Sequence, residues 1–407
     1  MTAMALPILY LLMGLATTSD RALLGQMVAR IKPRQGEDPI GKAMIPVYRP
    51  SIGELEKRYV AEAMESGWIS SRGAFLDRFE KDFAAYIGCP NGISAANGTV
   101  ALHLAFAALG IGPGDEVIVP TFTYVASVNA ITYTGATPVF VDSEPQHWNI
   151  DPAMVEAAIT PRTRAIEVVH LYGHPADLDP ILEVAARHNL VVVEDAAECH
   201  GATYKGRRVG SIGTIGSFSF FGNKIISTGE GGMLVTGDGE LAERARRLRG
   251  QGVSPTRTYW HEIVGFNYRM TNIAAAIGCA QLERVEATLA AKRTLAGWYR
   301  ANLEGIEGVT LQSEAPWARS VYWMNSILVD PGLREPLRAE LQANGIETRP
   351  FFYPAHILPM YSSGASFPVA ERLGASGINL PSYAELAEEH VVGICAAIRR
   401  FVETRRA

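Results

Sequence analysis

Between residues 117 and 235 the chain carries six short runs of β-branched and aromatic residues. They are Val117-Ile118-Val119, Val139-Phe140-Val141, Ile166–Val169, Val191-Val192-Val193, Ser217–Phe220 and Met233-Leu234-Val235. Most of these runs are apolar throughout rather than alternating, so both faces of each strand must be buried. Helix-like stretches at Val125–Tyr133, Pro152–Ile159 and Pro180–His188 separate the early ones, after amphipathic segments at Glu54–Ser66 and Phe75–Tyr86 and an Ala/Leu-rich helix at Thr99–Leu109. Strands alternating with helices predict an α/β fold around a largely parallel sheet covered on both sides.

Ligand sites on such sheets gather at the carboxyl ends of the strands. The polar residues fall there: Pro120–Tyr124, Asp142, His170–Gly173 and Glu194-Asp195. Met270–Leu303 reads as one nearly unbroken helix leading to a second region. That region has strands near Val309–Leu311, Tyr322–Val329 and Ile346–Arg349, and helices at Gly332–Asn344 and Ala384–Thr404. The expected division is a large domain over 44–295 and a smaller α+β C-terminal domain over 296–407. Residues 1–43 stand apart as an N-terminal extension. Its apolar run at Ala5–Ala16 is shorter than the roughly 20 residues a bilayer span needs.

A net charge of -5 argues against general nucleic-acid binding, and no membrane association is expected. Cys89, Cys199, Cys279 and Cys395 are far apart and form no C-x-x-C, which fits a reducing cytoplasm.

Two residues carry the strongest chemical signal. Lys224 ends the run Ser217-Phe218-Ser219-Phe220-Phe221-Gly222-Asn223-Lys224, and Asp195 ends an apolar strand. A lysine desolvated among aromatics can attack a carbonyl as the neutral amine. A carboxylate at a buried strand end can keep a pyridine nitrogen protonated. Pyridoxal phosphate needs both. Upstream, Asn97-Gly98-Thr99 opens a helix whose first N–H groups suit a phosphate. Glu194, Asp195, Glu198, Cys199 and His200 are dense enough to suggest a metal. Side chains on a strand and turn diverge, however, so no metal is expected. His200 is expected to pack near the cofactor, and His356 to be either a sugar or diphosphate contact or a satisfied structural histidine.

These segments resemble the DegT/DnrJ/EryC1/StrS sugar aminotransferases, from about Ile45 to the C-terminus. The matching text includes Trp68-Ile69-Ser70-Ser71, Asn97–Leu104, Gly112–Pro120, Glu194-Asp195-Ala196-Ala197-Glu198, Phe220–Lys224 and Gly265-Phe266-Asn267-Tyr268-Arg269-Met270. Thr228–Gly232, Leu248–Gly252 and the Arg349-Pro350 to His356 stretch are similar to the branch that aminates GDP-4-keto-6-deoxymannose. Dehydratase relatives carry histidine in place of the lysine, so Lys224 favours transamination. The resemblance implies a fold-type I pyridoxal-phosphate aminotransferase with a seven-stranded, mostly parallel sheet. It further implies a nucleotide-linked keto sugar and L-glutamate as substrates, with dTDP or UDP carriers as alternatives to GDP. A non-catalytic cofactor-binding regulator is the remaining alternative, and residues 1–43 are too short and apolar for the DNA-binding domain it would need.

Carried over residue by residue, the resemblance assigns Lys224 to the cofactor aldehyde and to proton transfer. Asp195 is assigned to the pyridine nitrogen, Glu198 to the 3-hydroxyl, and Tyr124 to stacking on the ring. Gly98, Thr99 and Ser219 are assigned to the phosphate. Asn267 is assigned to the phosphate in the neighbouring subunit, which implies a homodimer with shared active sites.

Overall fold

In a computed structural model, the described residues are 44–362 and 364–406. The N-terminal extension expected over 1–43 lies outside them. Seven strands form the main sheet: β1 (Asn91–Ala95), β2 (Glu116–Pro120), β3 (Thr137–Val141), β4 (Thr163–Val169), β5 (Val191–Asp195), β6 (Ile215–Ser219) and β7 (Gly232–Thr236). Their order across the sheet is β1-β7-β6-β5-β4-β2-β3. Only β7 runs against the others, paired antiparallel with β1 and β6. The expected α/β sheet, mostly parallel, is therefore present. β1 escaped the sequence reading because Asn91-Gly92-Ile93-Ser94-Ala95 has neither β-branched density nor alternation. It is a strand because β7 offers it a complete ladder from Asn91↔Thr236 to Ala95↔Gly232.

Helices α1 (Glu54–Glu65), α2 (Ala74–Ile87), α3 (Gly98–Leu109), α4 (Val125–Tyr133), α5 (Leu178–Arg187) and α6 (Gly239–Arg249) accompany the sheet. One core cluster packs Phe79, Phe83, Phe218 and Phe220 with Ile166, Val168 and Val192. The other packs Leu104 and Phe106 with Val117, Val119, Val193 and Leu234. Neighbouring residues of one strand, Val192 and Val193, thus enter different cores, as a doubly covered sheet requires.

The helix expected over Met270–Leu303 is two helices, α7 (Asn272–Glu283) and α8 (Val285–Leu303). Arg284 between them has φ -103 and ψ 0. Its guanidinium bonds Ser51 O and Oγ and lies 3.4 Å from Glu56, so a distant contact accompanies the break. No glycine or proline marks it in sequence.

A four-stranded antiparallel sheet follows, from β8 (Thr310–Leu311), β9 (Asn325–Leu328), β10 (Arg349–Pro350) and β11 (Gly377–Leu380), in the order β8-β9-β11-β10. Helices α9 (Pro331–Ala343), α10 (Pro368–Ser376) and the terminal α11 (Glu388–Arg406) complete this region. Its own apolar cluster holds Leu295, Tyr299, Ile327, Leu337, Leu380 and Ile398. The strand expected over Tyr322–Val329 starts later, because Tyr322 takes φ 46. No helix among the described residues is long and apolar enough to cross a membrane.

Three contacts tie the second region to the main sheet. Asp142, just past β3, accepts from the N–H groups of Val369 and Ala370 and so caps α10. His356 bonds Thr121 Oγ1 at 2.7 Å and Glu371 at 3.2 Å. Both its nitrogens are satisfied and it is buried, so it is a structural histidine. His174 receives the Ala315 N–H on Nε2, which fixes the tautomer and leaves Nδ1–H to donate to Pro175 O. Burial first, then the stacked His147 ring, lowers its pKa to about 4. A depressed folded-state value means that stability is full above the unfolded-state pKa and is lost as pH falls towards 4. We expect acidification from pH 7 to 4 to cost the wild type about 2–3 kcal/mol more than His174→Gln, measured by denaturant unfolding at each pH. Parallel pH profiles for the two proteins would refute this.

Candidate active site

The carboxyl ends of β1, β5 and β6 lie on one edge of the sheet and deliver Ala95, Asp195 and Ser219. Asn97 caps α3, its side chain accepting from Val100 N at 3.0 Å. The first N–H groups, at Gly98 and Thr99, have no acceptor within the helix and are free for an anion. Ser219 stands against them. A Cβ at Gly98 would lie 2.5 Å from Ser219 Cβ, so only glycine allows this approach. The three residues assigned to phosphate are brought together.

Asp195 is buried at the end of β5. Its carboxylate accepts from Ser127 Oγ at 2.8 Å and from Ala197 N at 3.1 Å. Burial pushes its pKa up, against the pull of Ala197, Ser127 and Lys224. Ser127 was not anticipated. It sits in the first turn of α4, and nothing in Tyr124-Val125-Ala126-Ser127 announces that this turn meets β5. Thr123 Oγ1 lies 2.9 Å from Ser127 Oγ and extends the chain of hydroxyls.

Glu198 Oε2 accepts from Tyr172 N at 2.7 Å, and Oε1 lies 3.7 Å from Lys224 Nζ. Burial raises the Glu198 pKa to about 7, with Lys224 and the Tyr172 N–H opposing. Tyr172 presents that N–H from a left-handed conformation, φ 55 and ψ 17. The next residue, Gly173, also has positive φ, and a Cβ there would lie 2.5 Å from Trp323 N.

Lys224 reaches the same space from the loop after β6. Its Nζ lies 4.0 Å from the centre of the Trp323 ring. The aromatics beside it in sequence do not form this wall. Phe218 and Phe220 are buried in the core and Phe221 is exposed, while Trp323 arrives from the second region. Trp323 Nε1 donates to Asn223 O and Tyr48 Oη donates to Lys224 O, both at 2.6 Å. Neither residue was anticipated, because each is distant in sequence and lies in no motif.

Tyr124 caps the entry to α4 and is more than half exposed, 5.5 Å from the Phe352 ring. Asn267 is not gathered with the others. It is exposed and accepts from Arg269 at 2.9 Å. The acidic residues beside Asp195 take separate partners. Glu194 accepts from Gly210, Ile212 and Gly213 N–H groups and lies 3.1 Å from His170. His200 packs among Phe83, Phe218 and Phe220, its pKa lowered to about 3 by burial and then by Lys224. Among the described residues no cluster of three or more His, Cys, Asp or Glu can hold a metal.

The donor set fits pyridoxal phosphate. A helix start with a serine beside it suits the phosphate, and a buried carboxylate with two donors suits a cationic ring nitrogen. An amine lies on the same edge. Ser127→Ala should remove one hydrogen bond to the Asp195 carboxylate, worth about 1.5–3 kcal/mol. The half-reaction with the amino donor that the resemblance implies should slow about 10- to 100-fold while the protein still binds cofactor. Single-turnover absorbance at wild-type speed would rule out this role.

Residues 50–399 match the DegT/DnrJ/EryC1/StrS aminotransferase family. The chain is 54% identical to the GDP-perosamine synthase of Caulobacter vibrioides, over 87% of this chain and 97% of that one. It is 51% identical to the GDP-perosamine synthase of Escherichia coli O157:H7, over 88% and 98%. Among solved structures, Streptomyces venezuelae DesV in complex with a ketimine intermediate superposes with a TM-score of 0.82 at 39% identity, covering 88% of this chain and 99% of that one.

Proposed function

Because this chain belongs to the DegT/DnrJ/EryC1/StrS aminotransferase family and is a pyridoxal-phosphate-dependent sugar aminotransferase, we propose that it makes GDP-perosamine. The amino group would come from L-glutamate, leaving 2-oxoglutarate, and would enter C4 of GDP-4-keto-6-deoxy-D-mannose. What carries this choice of sugar is the 54% identity to a GDP-perosamine synthase across almost its whole length. Such a product is a building block for O-antigen or a related glycan, and the reaction belongs in the cytoplasm. The four cysteines are free and buried, in keeping with a reducing compartment.

When bound, pyridoxal phosphate supplies an aldehyde that exchanges the amino group and an electron-poor ring that takes up negative charge. Asp195 would hold the proton on the ring nitrogen, which needs the anion that burial alone disfavours. Ser127 and Ala197 keep that carboxylate aimed by two fixed hydrogen bonds. Glu198 would face the 3-hydroxyl, with a proton affinity near neutrality that lets it accept or donate. Lys224 Nζ would take the proton from Cα of glutamate and later deliver one to C4 of the sugar. Between those steps the Trp323 ring and Glu198 hold the amine near the reacting atoms. Gly98, Thr99 and Ser219 would anchor the phosphate, and Tyr124 would cover the ring. Residues 44–295 would form the cofactor-binding domain and 296–407 the smaller domain, whose separate apolar cluster supports that division.

Asn267 would complete the phosphate site of a second copy. Its loop supports this, because Tyr259, Trp260 and Val264 are exposed hydrophobics that water alone does not favour. The chain would then act as a homodimer with shared active sites.

Lys224→Ala should lose the glutamate half-reaction entirely, followed by cofactor absorbance. Near-normal turnover in that variant would displace Lys224 from its role. With wild-type enzyme, a screen of GDP-, dTDP- and UDP-linked keto sugars should give product with the GDP sugar. Preference for another carrier would overturn the substrate proposed here.

Mixing Lys224→Ala chains with Asn267→Ala chains tests the shared site. A mixed dimer carries both lesions in one site and none in the other, so activity should return to about a quarter of wild type under random exchange. Proven exchange without recovery would refute it.

A further inference from the structure

Lys292 lies on α8, away from every motif, and is 1% exposed. Its Nζ donates to the carbonyls of Trp323, at 2.7 Å, and Ser382. The same nitrogen lies 5.6 Å from the centre of the Tyr48 ring. Burial draws its pKa down to about 7, with Glu385 pulling the other way. Charged or neutral, an amine keeps at least two N–H donors, which matches the two carbonyls.

A buried lysine is a costly way to join two carbonyls. Burying an amine carries a desolvation cost that apolar packing between the same segments would not. The function of Lys292 therefore has to be sought in what its partners do. Trp323 and Tyr48 are the two residues that hold the peptide carbonyls of Asn223 and Lys224, each by a bond of 2.6 Å. Trp323 also presents its ring to Lys224 Nζ.

From this geometry we infer that Lys292 is a positioning residue for Lys224, holding Trp323 and Tyr48 so that they fix the backbone and the amine of the reactive lysine. The inference rests on the assignment of Lys224 above. Lys292 bonds the Trp323 backbone directly, and the carbonyl of Ser382, just past β11, gives it a second fixed point. The indole then has one orientation in which its N–H meets Asn223 O and its face meets Lys224 Nζ. The Tyr48 ring, beside Lys292, has its hydroxyl on the next carbonyl along. Lys292 itself touches no reacting atom.

The test begins with cofactor-free protein. Pyridoxal phosphate is added, the rate of covalent capture is followed by stopped-flow absorbance, and the adduct is reduced with borohydride and mapped by mass spectrometry. Wild type should be labelled at Lys224. A label elsewhere, Lys292 included, would defeat the assignment of Lys224 rather than this inference.

With Lys224 confirmed, Lys292→Met should fold, less stably than wild type because two buried carbonyls lose their donor, and should capture cofactor about tenfold more slowly. Its kcat for the glutamate half-reaction should fall about as much, with KM changed less than about threefold. A merely structural lysine would lower stability without separating kcat from KM. A folded Lys292→Met with capture and kcat within about twofold of wild type would overturn the inference. Should Lys292→Met not fold, Tyr48→Phe and Trp323→Phe carry the test, since each removes one donor to the 223–224 carbonyls. Each should slow capture about fivefold or more, and two variants both within about twofold of wild type would equally overturn it.

Discussion

A carboxylate closed off from water at the end of a central strand sets the terms for this site. Asp195 ends β5, which lies between β4 and β6 and is covered on both faces. Isolation of this kind favours the protonated acid. Two directed hydrogen bonds, from Ser127 and the Ala197 amide, pull the other way, and a cationic ring nitrogen would complete the balance. The main sheet is what makes this possible. It brings Asp195 to the same edge as Ser219 and the start of α3.

The second half of the site is less regular. Glu198 is held by an amide that points correctly because Tyr172 adopts a left-handed conformation. That conformation costs about 1–2 kcal/mol for a residue with a Cβ. It persists because the tyrosine ring is packed against Phe351, Phe352 and Trp323. The same Trp323 faces Lys224. A backbone that would relax in isolation is thus locked by aromatic packing from the second region, and that packing also shapes the surroundings of the reactive amine. If Lys224 acts as proposed, the second region takes part in the chemistry through Trp323.

Membership of the sugar aminotransferase family accounts for these features together. Transamination runs two half-reactions with different substrates through one amine and one ring. The positions of both must therefore survive the exchange of an amino acid for a nucleotide sugar. Under the roles proposed above, a rigid sheet edge would hold the phosphate and ring nitrogen and a packed wall the lysine, which would answer that need.

The sequence alone determined the sheet class, the strand ends that carry polar residues, and the identities of Gly98, Thr99, Asp195, Glu198, Ser219 and Lys224. Apolar runs, a strand end and a helix start drew attention to Gly98, Thr99, Asp195 and Lys224, and the family resemblance added Glu198 and Ser219. The tertiary structure decided what surrounds them. Ser127 meets Asp195, Trp323 and Tyr48 meet Lys224, and Lys292 stands behind both, through contacts between segments far apart in sequence. β1 exists because β7 pairs with it, and the long helix breaks at Arg284, where the side chain reaches Ser51. Local propensity names the groups that can do chemistry. Burial, partner and orientation depend on which distant side chains share the space, and only the folded chain settles that.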